Sequence, residues 1–444
     1  MNFKHFISQK LIFPLSDLLT NQKVYKSFQF LKKTEKWNQN EIIDYQNNKL
    51  QTLIKHSYTN VPYYKQLFDQ IGICPDEIKT VEDLQKIPIL TKKEIKSQGI
   101  NQFTAKNFSK KKLIISSSSG STGEPLIYYR TIDAYSLNLA CNLKGWYNMG
   151  YQLGDKYVKI SQNPRSNKIK KLQDTLSSNM YLSSNPLNES NFNKILCKIE
   201  KYKPKVIRCY PDPLIFLANY KKNHPEFKYN PKYIATTGNV LHKEDRKLIE
   251  SVFQCEIFDS YSCEGNSTFF ECKTHSCYHA FGEYGYSEVV DENGNPIKEG
   301  VGRLISTDLT NLAHPFIRYD TQDFVEINTE KCKCGNNHFS IKKILGRDNE
   351  ILEMENGKKY IVHNFTGFFQ TISPNTNASI EQFQVIKKGG IVIFNIVVNK
   401  NYNSSVETYI KNYWENEFEC PIEIKVVEKI NISKNGKRRF ILNE

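Results

Sequence analysis

The chain has 444 residues, of which 39% are hydrophobic and 12% aromatic, enough apolar material for the cores of one large and one small domain. Lysine and arginine number 61 against 47 acidic residues, a net charge of +14, so the chain can attract nucleic acid, anionic membranes or phosphorylated ligands. The lysines are spread along the chain without an arginine-rich run, and no apolar stretch is long enough to predict a membrane-spanning helix.

The first residues lack the continuous apolar core and the cleavage site of a signal peptide. We expect an amphipathic helix there, and we favour a helix docked on the protein over one that lies on a membrane. Eleven cysteines in a chain of this length, without the features of a signal peptide, favour a reducing, cytoplasmic compartment in which the thiols are free or bound to a metal.

Helical patterns dominate the sequence up to residue 110. Apolar residues at helical spacing predict a helix over Glu41–His56, and Thr80 is typical of a helix N-cap because Asp83 follows it three positions later. A short apolar run, Leu113–Ile115, indicates the end of a strand, and Ile132–Met149 again has helical spacing.

Strand and helix patterns alternate from residue 151 to 330, which predicts a layered α/β domain with parallel strands. The predicted helices include Pro213–Asn223 and Lys243–Phe253. The predicted strands are Tyr157–Ile160, Val206–Cys209, Tyr233–Thr236 and Glu256–Asp259, followed by a hairpin of Tyr286–Val290 and Gly302–Ser306.

A domain boundary is predicted near Leu345–Asp348. The roughly 100 residues beyond it have the pattern of a compact α+β domain. The predicted elements of this domain are a hairpin over Phe383–Val398, a helix over Val406–Glu417 and a strand over Ile422–Val427.

The segment Ser116–Arg130 concentrates serine, threonine and glycine within a few residues. Gly120 and Gly123 permit positive φ, so backbone N–H groups can turn toward a common centre, and the surrounding hydroxyl groups add donors. These features suit an anion, most naturally a polyphosphate, although no Gly-Lys-Ser/Thr follows as it would in a Walker loop. The alternative is a flexible linker.

Three further patterns with polar and acidic residues follow downstream. They are Thr236–Asn239, Asp259–Gly265 and Arg318–Asp323, and we place them on loops that follow strands. The carboxyl ends of parallel strands form the edge at which α/β proteins bind ligands. A carboxylate at this edge can bind magnesium or accept hydrogen bonds from ribose hydroxyl groups.

In this order, the motifs resemble those of the adenylate-forming enzymes, specifically the phenylacetate–coenzyme A ligase-like branch that includes the capsular-polysaccharide CapK-type proteins. The resemblance covers nearly the whole chain. The segments that carry it are Leu53–Tyr64, Val81–Lys92, Ser117–Pro125, Gly145–Asp155, Tyr261–Glu264, Tyr319–Asp323, Leu345–Arg347 and Ser433–Arg439.

This resemblance implies an α/β fold with a large multi-layer N-terminal adenylation domain, residues 1–346, and a smaller, mobile α+β C-terminal domain, residues 347–444. It also implies a two-step reaction. A carboxylate attacks the α-phosphate of ATP, and a thiol or amine then displaces AMP from the acyl-adenylate.

The resemblance also assigns roles to individual residues. Glu264 would bind magnesium, and Lys437 would bridge the attacking carboxylate and ATP. Asp323 and Arg347 would hold the ribose. The residues implied to line the site for the phosphates and the adenine are Ser118, Ser119, Gly120, Ser121, Thr122, Gly123, Gly238, Asn239, Tyr261 and Ser262.

Two positions leave alternatives open. Gln322 stands where many relatives have glycine, and its side chain can crowd the ribose pocket next to Asp323. Lys437 lies among other basic residues near the end of the chain, so its alternative is a surface lysine in a basic tail.

A separate group of thiols and imidazoles comprises Cys272, His275, Cys277, His279, Cys332 and Cys334. A structural zinc needs four ligands, but the one-residue spacing between the last two cysteines is unlike the usual CxxC knuckle. Some members of this branch resemble the arrangement and carry a structural zinc. The resemblance favours an insertion around 272–334 with Cys272, His279, Cys332 and Cys334 as ligands, and with Cys277 and His275 in reserve.

The resemblance therefore implies an ATP-dependent ligase that transfers an acyl group, with coenzyme A as the expected acceptor and a role in surface-polysaccharide biosynthesis. Its cofactors would be ATP, magnesium, a structural zinc and coenzyme A. An amine on a sugar or an amino acid is the alternative acceptor. The sequence does not identify the carboxylic acid that is activated. A homodimer is one alternative for the oligomeric state. A zinc-bearing nucleic-acid-binding protein would explain the charge and the cysteines but not the motifs, so we expect no nucleic-acid partner.

Overall fold

The structure, a computed structural model, describes residues 3–117, 126–161, 174–175, 177–263, 268–347, 351–356, 358–361, 365, 368, 379–430 and 439–444. The chain separates into two compact units. The first comprises Met1–Thr321 and Glu326–Lys343, and the second comprises Gln322–Val325 and Ile344–Glu444. The predicted boundary after residue 346 lies close to the division after Lys343.

Helices fill most of the first hundred residues and recur between the strands of the first unit. A π-helical turn, Ser8–Ile12, joins the first two, and 3-10 helices occupy Pro75–Glu77, Val81–Lys86 and Lys110–Lys112. In chain order the α-helices of the described residues are α1 (Phe3–Ile7), α2 (Phe13–Thr20), α3 (Val24–Thr34), α4 (Gln39–Asn60), α5 (Pro62–Ile71), α6 (Lys92–Gln98), α7 (Ile132–Asn148), α8 (Glu189–Tyr202), α9 (Pro211–Lys222), α10 (Lys243–Phe253) and α11 (Ser404–Phe418).

The strands of the described residues form five sheets. In chain order they are β1 (Ile114–Ser117), β2 (Ile127–Arg130), β3 (Tyr157–Ser161), β4 (Asn179–Ser183), β5 (Val206–Cys209), β6 (Tyr233–Thr236), β7 (Glu256–Phe258), β8 (Ser260–Ser262), β9 (Thr268–Glu271), β10 (Tyr278–Ala280), β11 (Gly285–Val290), β12 (Val301–Asp308), β13 (Tyr319–Ile327), β14 (Ser340–Arg347), β15 (Ile351–Glu353), β16 (Lys359–Ile361), β17 (Ile380–Lys388), β18 (Ile391–Val398), β19 (Ile422–Val426) and β20 (Ile441–Asn443). This mixture of helices and strands confirms the predicted α/β class.

Helix α4 shows how local sequence sets an element. The Asn38 side chain accepts a hydrogen bond from the N–H of Glu41, and the Glu41 carboxylate accepts one from the N–H of Asn38. The helix ends at Asn60 because Val61, which precedes Pro62, adopts an extended conformation. It is therefore longer at both ends than the sequence predicted.

Five strands form the predicted parallel sheet, in the order β4-β3-β5-β6-β7. Because β4 and β5 lie on opposite sides of β3, the crossovers change direction there, and the carboxyl ends of all five strands share one edge. The sheet is covered by helices, and side chains such as Ile207, Ile234 and Phe253 pack in its core without exposure. Strand β4 was not predicted.

A seven-stranded sheet has the order β11-β12-β13-β14-β10-β9-β8. The predicted hairpin of β11 and β12 is antiparallel, with Tyr286 opposite Thr307. The placement of Arg318–Asp323 on a loop was wrong for most of the motif, because Tyr319–Asp323 lies inside β13. Neighbouring strands on both sides can satisfy the backbone hydrogen bonds of this polar segment.

The second unit contains the predicted hairpin, formed by β17 and β18 around Gly389 and Gly390, which both have positive φ. Strands β19 and β20 add to the two sides of this hairpin in parallel. Helix α11 buries Trp414 in a core that includes Phe394 of β18. The unit has the predicted α+β arrangement.

Candidate functional site

Polar segments that follow β6 and β7 meet at the carboxyl edge of the parallel sheet. The hydroxyl group of Thr236, the last residue of β6, donates to the carboxylate of Asp259 at 2.6 Å. The hydroxyl group of Ser260 donates to the carbonyl oxygen of Thr236 at 2.8 Å. The structure thus joins two of the predicted motifs at the edge where α/β proteins bind ligands.

Gly238 brings the backbone close to an aromatic ring from the segment after β5. Its φ is +91°, and a Cβ atom on it would lie 2.8 Å from Cε1 of Tyr210. The adjacent Asn239 donates its amide to the carboxylate of Asp212 in the first turn of α9. Its Oδ1 atom is buried and has no hydrogen-bond partner among the described residues. Such an acceptor beside an aromatic ring can accept a hydrogen bond from the amino group of a planar base.

Asp259 holds this edge together from inside the protein. Its side chain is buried, and the phenol of Tyr278 donates to its second carboxylate oxygen at 3.2 Å. Burial raises the pKa of the Asp259 carboxyl to about 6, although the hydrogen bond from Thr236 acts in the opposite direction. We therefore assign Asp259 to the support of the edge and not to ligand contact.

Tyr261 and Ser262 lie in the short strand β8, which pairs with β9, so the prediction of a loop was wrong for these two residues. The Tyr261 ring is partly exposed, with its centroid 6.0 Å from that of Phe269, and Ser262 is exposed. Strand β8 begins at Ser260, whose hydroxyl group is bonded to the end of β6. Both predicted residues therefore follow directly on the carboxyl edge.

Several predicted site residues, namely Ser118–Gly123, Glu264 and Lys437, lie outside the described residues. The strands on either side of the serine-rich segment are described. Strands β1 and β2 are antiparallel partners, with Ser117 opposite Ile127. The segment is therefore the connection between two paired strands.

Asp323 lies within β13 and is only 5% exposed. The preceding Gln322 has a φ of +62°, in the left-handed region that favours glycine. A non-glycine residue bears a strain of about 1 kcal/mol in this conformation, a strain that the glycine of the motif it resembles would avoid. Arg347 is the last residue of β14, and its side chain is not among those that the structure describes.

Arg318, at the start of the same motif, forms a buried ion pair that the sequence did not reveal. Its Nε atom donates to Oε1 of Glu288 at 2.7 Å, and its Nη1 atom donates to the carbonyl oxygen of Ile87 at 2.7 Å. Both charged side chains are buried. Burial raises the pKa of the Glu288 carboxyl, while Arg318 opposes this shift. No local pattern could have identified a partner thirty positions away.

The cysteines and histidines form a second cluster, at the seven-stranded sheet. Strand β10 pairs with β9 on one side and with β14 on the other, which brings the turn after β9 to the loop before β14. The Sγ atoms of Cys272 and Cys332 are 3.6 Å apart, and those of Cys272 and Cys277 are 4.0 Å apart. Two sulfurs bound to one tetrahedral zinc lie roughly 3.8 Å apart, so these distances fit that metal.

The geometry favours a different set of four from the one suggested by the resemblance. One ligand atom from each of Cys272, Cys277, His279 and Cys332 lies within 4.8 Å of the other three. Cys334 is not in this group, although its Sγ atom is 3.2 Å from Nε2 of His279. His275 contacts the Glu271 carboxylate at 3.0 Å instead.

Neighbouring groups contact the His279 ring and the Cys272 thiol. Nδ1 of His279 lies 3.3 Å from the carbonyl oxygen of His338, which suits a hydrogen bond that leaves Nε2 to face the thiols. Burial opposes ionisation of Cys272, but hydrogen bonds from its neighbours, among them Thr274 with its hydroxyl oxygen 3.1 Å from Sγ, outweigh burial and hold the thiol pKa well below its usual value.

Known proteins with similar sequences include phenylacetate–coenzyme A ligases and a CapK protein. The chain is 26% identical over 336 residues to a phenylacetate–coenzyme A ligase of Thermus thermophilus, an alignment that covers 69% of this chain and 70% of that ligase. It is 23% identical over 416 residues to Protein CapK of Staphylococcus aureus, covering 91% and 90% of the two chains. No family model matches the chain.

The fold is that of a solved 2-hydroxyisobutyryl-CoA ligase, a structure of the postadenylation state in complex with R3-HIB-AMP. The TM-score is 0.74, and the match covers 93% of this chain and 92% of the ligase at 13% sequence identity. At this identity the likeness is one of fold. The fold class predicted from the sequence motifs is thereby confirmed.

Proposed function

We propose that the chain is an adenylate-forming enzyme, which activates a carboxylic acid with ATP and transfers the acyl group to coenzyme A. Its sequence similarity to phenylacetate–coenzyme A ligases and CapK, together with its fold, supports this proposal. One observation carries this assignment. The motif segments after β6 and β7 are hydrogen-bonded to each other at the carboxyl edge of the parallel sheet.

The adenine of ATP would bind beside Tyr210, Gly238 and Asn239. The absence of a side chain at Gly238 leaves the face of its backbone next to the Tyr210 ring open, and the buried Oδ1 atom of Asn239 can accept a hydrogen bond from the adenine amino group. Tyr261 would pack on the base, and Asp323 and Arg347 would hold the ribose, as the motifs imply.

The first step would form an acyl-adenylate. A carboxylate oxygen attacks the α-phosphorus of ATP, the bond to the β-phosphate breaks, and pyrophosphate leaves with the electron pair. The serine, threonine and backbone donors of Ser118–Gly123 would hold the leaving phosphates, and Lys437 would balance the charge that builds up around the attacking carboxylate. Magnesium, for which Glu264 is the proposed ligand, supplies further neutralisation of phosphate charge when bound.

The second step would transfer the acyl group. The thiolate of coenzyme A attacks the acyl carbon, AMP leaves, and a thioester results. An amine acceptor would give an amide by the same exchange. The role in surface-polysaccharide assembly stays a prediction from the resemblance.

The products of ATP turnover test this function. With magnesium, ATP and a panel of carboxylic acids, the purified protein should release pyrophosphate and AMP, and hydroxylamine should trap an acyl hydroxamate. Coenzyme A should convert the accepted acid into a thioester, detected by mass spectrometry. Release of ADP and phosphate would contradict the mechanism, whereas an amide formed with amines but no thioester would change only the acceptor.

We also propose that Cys272, Cys277, His279 and Cys332 hold a structural zinc. Four protein ligands close a tetrahedral site, which is typical of structural sites and leaves no position for a substrate. The metal would tie the turn between β9 and β10 to the loop before β14. Bound zinc would therefore contribute free energy to the folding of this sheet.

Metal analysis of single variants tests the ligand set. The wild-type protein should contain about one zinc per chain. Cys277→Ser should lose most of the metal and unfold at a lower temperature, whereas Cys334→Ser should keep the zinc content and the unfolding temperature of the wild type. Cys420→Ser, in the second unit, is the matched control. Zinc retained in Cys277→Ser but lost in Cys334→Ser would restore the set inferred from the resemblance.

A further inference from the structure

The first described residues form an almost continuous helical segment, Phe3–Thr20, fastened to the protein along one side. Ser8 is buried beside Gly154, and Nε2 of His5 lies 2.9 Å from the Asp155 carboxylate. At its end, the Asp17 carboxylate accepts hydrogen bonds from backbone N–H groups at the start of α3. The segment is therefore docked, as the sequence analysis favoured.

The other side of this segment is apolar and exposed. Of the thirteen exposed large hydrophobic side chains in the described part of the protein, six lie here. Their exposed fractions are 77% for Phe3, 47% for Phe6, 62% for Leu11, 53% for Leu15, 78% for Leu18 and 72% for Leu19. An apolar cluster of this density on one short segment is typical of an interaction surface.

The exposed charged side chains of this segment have one sign. Within Phe3–Thr20, all of which is described, the only exposed residues besides the six are Lys4 and Lys10. Asp17, the one acidic residue of the segment, is occupied by the backbone of α3. Residues 3–36 contain seven lysines and two acidic residues, so about a third of the net charge of +14 falls in this short stretch.

We propose that Phe3–Thr20 binds, in the plane of the surface, to lipid bilayers that contain anionic lipids. A helix with phenylalanine and leucine on one face and lysine beside them inserts its apolar face at the boundary between headgroups and acyl chains. Phosphate headgroups complement the lysines, as each basic side chain near an anionic surface is attracted to it. A second copy of the chain fits this face less well, because it would place lysines against lysines.

The proposed contact is interfacial. No helix among the described residues is long and apolar enough to cross a membrane. The docked side of the segment, which includes the buried Ser8, would stay on the protein while the exposed side enters the lipid.

Vesicle flotation of the full-length protein tests this proposal. The wild type should float with phosphatidylglycerol-containing vesicles, bind weakly to pure phosphatidylcholine and dissociate as salt is raised. Leu11→Gln/Leu15→Gln/Leu18→Gln should weaken binding at least about tenfold, since the apolar contacts are lost. Lys4→Gln/Lys10→Gln should reduce the preference for the anionic vesicles.

The matched control is Val301→Gln/Val426→Gln, which removes two comparably exposed side chains from other parts of the chain and should bind vesicles like the wild type. Absence of wild-type binding, or equal binding by the triple-leucine variant, would overturn the proposal. So would sedimentation showing, without lipid, a wild-type dimer that the triple variant turns into a monomer. The flotation assay needs no ATP turnover, so its outcome is separate from that of the proposed ligase function.

Discussion

Replacing Lys437 with alanine is expected to slow acyl-adenylate formation about 10²-fold or more, a loss of about 3 kcal/mol of transition-state stabilisation. The family resemblance implies that this ammonium group contacts the attacking carboxylate and the phosphate during the first step alone. An interaction made only in the transition state lowers the rate when removed and leaves ATP affinity little changed. Single-turnover formation of the adenylate and equilibrium binding of ATP measure the two quantities.

The second step provides an internal control for Lys437→Ala. Thioester formation from synthetic acyl-adenylate and coenzyme A should proceed at nearly the wild-type rate, because the lysine has no assigned contact there. Lys434→Ala removes a charge from the same basic stretch and should leave both steps nearly unchanged. Wild-type adenylation by Lys437→Ala would identify this residue as one more surface lysine.

Replacing Arg318 with methionine is expected to destabilise the first unit by about 3–5 kcal/mol, because a buried carboxylate loses its partner. In the wild type, Arg318 bonds both to Glu288 and to the backbone of Ile87, and both charged side chains are buried. Urea unfolding followed by circular dichroism measures the loss. Burial already raises the pKa of Glu288, so protonation as the pH falls should reduce the destabilisation in this variant.

A double variant separates the lost partner from the lost pair. Arg318→Met/Glu288→Met should be more stable than Arg318→Met, since no unpaired charge is then buried. The exposed pair of Lys65 and Asp69 is the matched control, and Lys65→Met should cost less than about 1 kcal/mol. A double variant as unstable as Arg318→Met would show that the bond to the Ile87 carbonyl oxygen, and not the ion pair, supports the fold.

The sequence by itself determined the type of most elements, because local periodicity and turn chemistry act over a few residues. The helix Lys243–Phe253 has the predicted bounds, and the glycine pair 389–390 marks the turn of the predicted hairpin. The order of the motifs also predicted the similarity to phenylacetate–coenzyme A ligases and CapK that the sequence comparisons show. These signals depend on spacing within a segment or on residues that stand in a fixed order along the chain.

Strand assignment in the polar motifs required the tertiary structure. The polar motifs that contain Tyr261 and Tyr319–Asp323 predict loops, yet these residues lie in strands. A polar residue is accommodated in a strand when neighbouring strands take up its backbone hydrogen bonds. The left-handed φ of Gln322 was equally invisible, since it follows from the path of the strand and not from the side chain.

The tertiary structure also decided which distant side chains meet. Spacing left six candidate zinc ligands, and only the pairing of β10 with both β9 and β14 brings Cys272 to within 3.6 Å of Cys332, sixty positions away. The same is true of Arg318 and Glu288, and of the exposed apolar side of Phe3–Thr20. Local sequence shows that a helix has two faces, but the side that the protein covers depends on what the rest of the chain places beside it.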